Sequence, residues 1–242
     1  MNQIAAPEAA AVQKTSTLAE QAYRAIKRDI ISGTLEPGRA LRLEFLKTRY
    51  ELSFSPLREA LNRLHSERLV ESEALKGFRV ATLSLKEMHD SMRTRILIDC
   101  DALGRSIERG NAEWEAHIVG CLHTLSWITR QPVSDDAFEA HYDQVEQRHL
   151  ALHQALIAAC DSRWLLDFSM TLYVQTERYR RPMLVNLFRT NAPRDVSKEH
   201  RDLVDATLSR DTTNAVALLQ AHYRKTAELI EVSLAPTGQV KT

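Results

Sequence analysis

The chain has 242 residues, of which 44% are hydrophobic and 26% are charged, as is typical of a soluble globular protein. Its 32 basic and 32 acidic side chains cancel, and no apolar run is long enough to span a bilayer. The first residues lack the basic-then-apolar order of a secretory signal, so we expect a cytoplasmic protein without membrane association. The three cysteines have no metal-type spacing and are predicted to be reduced, mostly buried thiols.

A helix is the first predicted element after a short tail. Residues 1–15 are Ala-rich, lack capped helical periodicity and are predicted to form a flexible tail. From Thr17, whose hydroxyl can cap a helix while Glu20 completes a capping box, apolar residues keep helical spacing as far as Gly33. A second, short helix is predicted over about residues 43–50.

The stretch SFSPLREALNRL at residues 53–64 predicts a third helix. Ser55 is suited to cap it, and Pro56 suits the first helical position, where no amide donor is needed. Leucines recur at helical spacing on one side of this helix, while Arg58 lies on the other. The run that follows, RLVESEALKGFRVATL, predicts a hairpin of two short strands.

Three helices and a hairpin predict a winged helix-turn-helix over residues 16–83, whose third helix enters the major groove of DNA by its N-terminal end. The amides of this first turn attract phosphate, and the guanidinium of Arg58 can bind guanine through two hydrogen bonds. The segment holds 12 basic and 9 acidic residues, a small excess that a solvated helical surface explains equally well. A helical subdomain without DNA contacts is therefore the alternative.

The remaining residues, 84–242, show no strand pattern and predict an antiparallel helical bundle of about six helices, so the fold class is mostly α. Breaker residues separate the helical segments. The segments cover about residues 85–109, 112–130, 135–160, 163–189, 195–209 and 212–234.

Four of the nine histidines form a candidate metal site. His149 and His153 are four residues apart and share one helical face. His200 and His222 are equally distant from residue 211, inside a predicted turn, so they lie level on two antiparallel helices. If both pairs face the bundle interior, four imidazoles converge, and nitrogen ligands suit Zn, Ni, Co or Cu. The alternative is that they are ordinary core or surface histidines. Five others lack a partner at ligand spacing: His65, His89, His117, His123 and His141.

These motifs together resemble the GntR superfamily of bacterial transcription regulators, in the branch with an all-helical FCD domain. The resemblance covers about residues 17–234. In the N-terminal half it rests on IISGTLEPGRAL, LSFSPLREALNRLHSERLV and KGFRV, and in the C-terminal half on LHQALIAACDSRWL and EHRDLVDATLSRDTTNAVALLQAHY. It implies a DNA-binding domain over residues 16–83 and a domain for effector binding and dimerisation over residues 84–242.

The resemblance also implies particular DNA contacts. Residues at the positions of Ser53, Ser55 and Arg58 contact operator DNA in the family, and the wing tip, here Lys76 and Gly77, approaches the minor groove.

One position departs from the family, which usually has Arg where this chain has Phe54. Either the operator preference differs, or Arg42, Arg49 and Lys76 provide more of the phosphate binding.

The family's metal ligands are an Asp or Asn four residues before a His, followed by two later histidines. His153, His200 and His222 match the three histidines, and His149 stands where the carboxylate or carboxamide usually stands. An imidazole can still bind a metal, so we expect a divalent ion, zinc first and nickel as the alternative.

The segment TRILID is similar to the family's Arg-x-x-Leu-Glu pattern. It places Arg95 where an arginine can face the effector pocket, as a clamp for a carboxylate. The alternative is a salt bridge with Asp99, four residues further on the same helix.

The function predicted from the sequence is a homodimeric, ligand-responsive transcription regulator, a repressor by family habit. It would bind a palindromic operator and sense a small organic acid at the metal. A metal-dependent hydrolase is the rival function, but no acidic residue has an assignable place as its general base, so we predict no enzymatic activity. The second rival is a bundle that serves only dimerisation.

Overall fold

A computed structural model describes residues 16–73, 77–134, 137–190 and 194–234, with only the backbone described for residues 73 and 182–190. Within these ranges the chain forms nine α-helices and two β-strands, so the mostly helical fold is confirmed. None of the described helices combines the length and apolar character needed to cross a membrane.

The chain divides into two compact units. Among the described residues, the first contains those up to Ile30 together with Gly38–Ala81, and the second contains Ile31–Pro37 together with those after Ala81.

The first unit is a winged helix-turn-helix. Its elements are α1 (Leu18–Ile31), α2 (Leu43–Tyr50), α3 (Phe54–Ser66), β1 (Val70–Glu73) and β2 (Gly77–Val80). The two strands pair antiparallel, and leucine, isoleucine and alanine side chains from all three helices bury one core because they recur at helical spacing. The fully buried members include Ala22, Ile26, Leu46, Leu57, Leu61 and Leu64.

The start of α1 forms only half of the predicted capping box. The hydroxyl of Thr17 accepts a hydrogen bond from the amide of Glu20 at 3.1 Å. The carboxylate of Glu20 does not complete the box, because it pairs with Arg24 at 2.6 Å and with Arg63 of α3 at 2.7 Å. Ion pairs have thus replaced the predicted hydrogen bond to the backbone, and the pair with Arg63 ties α1 to α3.

The prediction that Ser55 caps α3 is wrong. The helix begins at Phe54, its N-cap residue is Ser53, and Ser55 lies inside the first turn. Pro56 is tolerated there because the first amides of a helix have no partner within the helix.

The second unit contains six helices, as the breaker pattern predicts. They are α4 (Leu85–Arg109), α5 (Ala112–Ile128), α6 (Phe138–Ile157), α7 (Arg163–Thr190), α8 (Val196–Leu208) and α9 (Thr212–Leu234). Helix α4 packs against α6, α7 and α9, and α5 packs against α6 and α8. One apolar core runs between these helices, and all three cysteines are free and buried.

The turn between α8 and α9 is held by Arg210. This residue adopts a left-handed conformation with φ 58°. Its guanidinium donates to the carbonyl of Gly110 at 2.9 Å and also reaches the Ile107 carbonyl and the Glu115 carboxylate. The turn fixes α8 and α9 as an antiparallel pair, which sets the relative height of their side chains.

Candidate metal centre and DNA-reading surface

The structure brings four imidazoles from three helices to one point. His149 and His153 lie one turn apart on α6, His200 lies on α8 and His222 lies on α9. One ring nitrogen from each can be chosen so that all four lie within 4.8 Å of one another. His153, His200 and His222 are buried, while His149 is partly exposed. The convergence follows from the level placement of His200 and His222 opposite one face of α6.

A carboxylate fixes the orientation of His222. Its Nδ1 lies 2.8 Å from Oε2 of Glu199. Because an ionised carboxylate can only accept, Nδ1 carries the proton and Nε2 keeps its lone pair. The guanidinium of Arg194 lies 3.3 Å from the same nitrogen, but its shorter contact of 2.7 Å is with Glu199. We therefore assign the hydrogen bond of the Arg194 guanidinium to the Glu199 carboxylate and not to His222.

Two tyrosine hydroxyls orient the imidazoles of α6. The Tyr173 hydroxyl donates to Glu146 at 2.5 Å, and its oxygen lies 2.8 Å from Nδ1 of His149. The Tyr223 hydroxyl donates to Asp99 at 2.7 Å, and its oxygen lies 3.1 Å from Nδ1 of the second α6 histidine, His153. Since each hydroxyl proton is used by a carboxylate, each tyrosine oxygen accepts from the imidazole. Both histidines therefore leave Nε2 without a proton.

The donor atoms fit a cation. The two Nε2 atoms of His149 and His153 face each other at 3.1 Å, and with both protons on Nδ1 their lone pairs repel. Nε2 of His200 is buried without a hydrogen-bond partner, which is costly for a polar atom. A divalent ion held by these nitrogens would satisfy all of them.

Burial keeps the cluster neutral. It lowers the pKa of His149, His153 and His200 well below the ordinary value, and the neighbouring imidazoles and arginines lower it further. Burial likewise lowers the pKa of His222 to about 4, although the hydrogen bond to Glu199 opposes this shift. At neutral pH, protons therefore do not compete with a metal for the ring nitrogens.

A cavity of about 320 Å³ lies beside the cluster. His149, His200 and His222 reach it, as do Arg180 and Arg194. Apolar residues from α5 and α6 form another part of the wall, namely Leu122, Leu125 and Val145. The cavity thus sets two guanidinium groups against an apolar wall, and a metal held only by neutral imidazoles would add its full positive charge.

Each cavity arginine is already held by a carboxylate. The guanidinium of Arg180 contacts Glu146, and that of Arg194 contacts Glu199 at 2.7 Å. These two glutamates also orient the metal-site histidines. An anion that binds either arginine would therefore act on the hydrogen bonds that position the imidazoles.

Arg95 does not line this cavity. Its side chain is 1% exposed, and the guanidinium donates to Asp99 at 3.1 Å and Thr176 at 3.0 Å. It lies over the rings of Tyr173 and Tyr223, at 4.7 Å and 4.3 Å. The structure thus contains the salt bridge that was the alternative for this residue, and direct contact with an effector stays a prediction. The cavity arginines Arg180 and Arg194 are not among the residues that the sequence patterns predict.

The predicted DNA contacts on α2, α3 and the wing are mostly exposed. Solvent reaches Arg42, Ser53, Ser55, Arg58 and Gly77.

The arginines of this surface differ in whether a carboxylate neutralises their charge. Arg42 and Arg58 have no ion-pair partner among the described residues, whereas Arg49 pairs with Asp29 at 2.6 Å. Arg49 thus brings a partly compensated charge to a phosphate, and its DNA contact stays a prediction. Lys76 lies outside the described residues.

A winged helix-turn-helix followed by a helical domain with a buried polar centre is the architecture of a class of transcription regulators. The sequence matches the bacterial regulatory proteins of the gntR family over residues 18–80 and the FCD domain over residues 90–225. The chain therefore belongs to the GntR family of transcription regulators, with an FCD domain at its C-terminal end.

Two relatives match along most of their length. The chain is 36% identical over 219 residues to the uncharacterized HTH-type transcriptional regulator BphR of Paraburkholderia xenovorans, covering 90% of this chain and 87% of the relative. It is also 36% identical over 217 residues to the HTH-type transcriptional repressor GlaR of Escherichia coli, covering 88% and 96%.

Solved structures share the fold. The Escherichia coli protein McbR/YncC superposes with a TM-score of 0.68 at 19% identity, over 90% of this chain and 99% of that chain. A GntR family regulator from Pseudomonas syringae gives 0.52 at 25% identity, over 89% and 87%.

Proposed function

We propose that the protein is a homodimeric repressor that binds a palindromic operator and responds to a small organic acid bound at a metal ion. The observation that carries the proposal is the set of four imidazoles whose lone pairs converge beside a cavity with two arginines. The family relationship and a relative named as a repressor support the sign of regulation.

In this proposal His149, His153, His200 and His222 hold one divalent ion, zinc or else nickel. When bound, the ion supplies a Lewis-acidic position for a carboxylate. Arg180 and Arg194 lie at the cavity wall, where they can approach the same anion.

The effector would act through the hydrogen bonds around the site. A carboxylate that draws Arg180 from Glu146 would change the Glu146–Tyr173 hydrogen bond, since both groups donate to the same glutamate oxygen, and through it the orientation of His149. Arg95, which was predicted to clamp the effector, would act on the site indirectly. It pairs with Asp99, and Asp99 orients His153 through Tyr223. The response can be no larger than the difference in effector affinity between the two states of the protein.

On DNA, each protomer would place the N-terminal turn of α3 in a major groove. Ser53, Ser55 and Arg58 face the bases and nearby phosphates, while Arg42 and Arg49 bind the backbone. The wing tip, Lys76 and Gly77, would approach the minor groove. Twofold symmetry of the dimer would then be mirrored in the two half-sites of the operator.

Replacing Arg58 by alanine is expected to weaken specific operator binding by about 1 to 3 kcal/mol, because an unpaired guanidinium at a helix start can bind guanine through two hydrogen bonds. Fluorescence anisotropy with operator and random duplexes of equal length, at one salt concentration, measures the effect. Equal losses on both duplexes would show that Arg58 binds phosphate and does not read a base.

The proposed binding of an organic acid is tested by thermal unfolding of the full-length protein with small carboxylates, such as acetate, succinate and benzoate. An acid that binds at the metal should raise the Tm by several degrees at concentrations well above its Kd. Prior removal of metal by a chelator should abolish the rise. A shift that survives chelation would place acid binding elsewhere, and no shift with any carboxylate would oppose the sensing role.

A further inference from the structure

An exposed aromatic ring stands at the start of the DNA-reading helix. Phe54 is the first residue of α3, and its side chain is 37% exposed. Among the described residues of the first unit, Leu18 is the only other large hydrophobic side chain that is exposed. Phe54 lies on the same side of α3 as the buried Leu57 and Leu61, but it precedes them at the helix start, and more than a third of its surface still reaches solvent.

The surroundings of the ring are polar and positively charged. The ammonium of Lys47 on α2 lies 5.1 Å from the ring centroid, within the range of a cation–π interaction. Neither Lys47 nor Arg58 has a carboxylate partner among the described residues, and Ser53 and Ser55 on either side of Phe54 are exposed. The surface therefore combines an exposed aromatic ring with cations that no described carboxylate neutralises, and such cations can bind the phosphates of DNA.

We propose that Phe54 selects thymine at one position of each operator half-site by contact with the thymine methyl group. The proposal rests on the proposed role of α3 as the helix that reads the major groove. Among the groups that base pairs present in that groove, the C5 methyl of thymine is the apolar one. Phe54 can neither donate nor accept a conventional hydrogen bond, so against any other base edge it leaves polar groups desolvated and unpaired.

The test begins with selection of duplexes from a random pool by the full-length wild-type protein. Thymines in the selected duplex are then replaced one at a time by deoxyuridine, which removes only the methyl group. At the position read by Phe54, the loss should be about fourfold per half-site and about fifteenfold when both half-sites are changed.

Two variants assign the effect to the side chain. In Phe54→Ala the thymine and deoxyuridine duplexes should bind equally, whereas Leu18→Ala, which removes another exposed large apolar side chain, should keep the wild-type preference. In Phe54→Arg, selection should enrich guanine at the same position, because a guanidinium can bind both acceptors of guanine.

The outcomes separate this inference from the proposed function. If wild-type protein binds thymine and deoxyuridine duplexes equally, or if the preference persists in Phe54→Ala, the reading of thymine by Phe54 is overturned while sequence-specific binding stands. If the wild-type protein enriches no duplex at all, the proposed operator binding fails, and this inference fails with it.

Discussion

Replacing Arg95 by alanine is expected to lower the free energy of unfolding by about 3 to 5 kcal/mol, because a buried charge then loses its partner. The side chain is 1% exposed, and its guanidinium pairs with Asp99 at 3.1 Å. It also donates to Thr176 and lies between the rings of Tyr173 and Tyr223. Removing it leaves the Asp99 carboxylate in a low-dielectric interior and opens a space between two aromatic rings.

The control for this variant lies on the same helix. Arg105 pairs with Asp101 at the same four-residue separation and a distance of 2.8 Å, but these side chains are 43% and 49% exposed. Arg105→Ala should therefore cost no more than about 0.5 kcal/mol. Urea unfolding of metal-free, full-length protein compares the two variants. Similar losses would show that burial of the Arg95 pair contributes nothing particular to stability.

Replacing His153 by alanine is expected to abolish binding of the metal ion. Its ring lies close to each of the other three, whose centroids are at 4.5, 5.6 and 5.5 Å. The change removes one ligand and leaves the Tyr223 oxygen without its imidazole partner. Elemental analysis after gel filtration should find one divalent ion per wild-type chain and essentially none in the variant. The rise in Tm on adding metal should disappear with it.

His123→Ala is the matched control for this loss. His123 is an exposed histidine of α5 that lies outside the cluster. That variant should keep the wild-type metal content. Retention of metal by His153→Ala, or an equal loss in His123→Ala, would mean that the ion binds elsewhere or that its loss follows from general destabilisation.

The sequence predicts the convergence of the histidines because each step rests on a regular period. A separation of four residues places His149 and His153 on one helical face, and equal distance from residue 211 makes His200 and His222 level on antiparallel helices. The only further condition is that both faces point inward. The apolar residues around them satisfy it, since they bury one core.

The cavity arginines could not be predicted in the same way. Arg180 reaches Glu146 across the contact between α6 and α7, and Arg194 reaches Glu199 and His222 from the residue before the N-cap of α8. These contacts depend on how helices pack, which no local period specifies. A weaker signal exists for Arg180, because it lies seven residues after Tyr173, on the same face of α7.

The start of α3 shows a second kind of limit. Both Ser53 and Ser55 are suitable N-cap residues, and the propensity rules favour the serine directly before Pro56. The structure begins the helix at Phe54, although Ser53 makes no side-chain cap hydrogen bond. The boundary is therefore not set by local capping alone, because Leu57 and the following leucines fix the helix in the core.

X-ray absorption at the metal edge of the full-length protein tests the central claim most directly. We expect the scattering of four imidazoles at about 2.1 Å from one ion, with an added oxygen neighbour when a carboxylate binds. A first shell dominated by water or carboxylate oxygen, with fewer than three imidazoles in the absence of added acid, would contradict a metal centre built from His149, His153, His200 and His222.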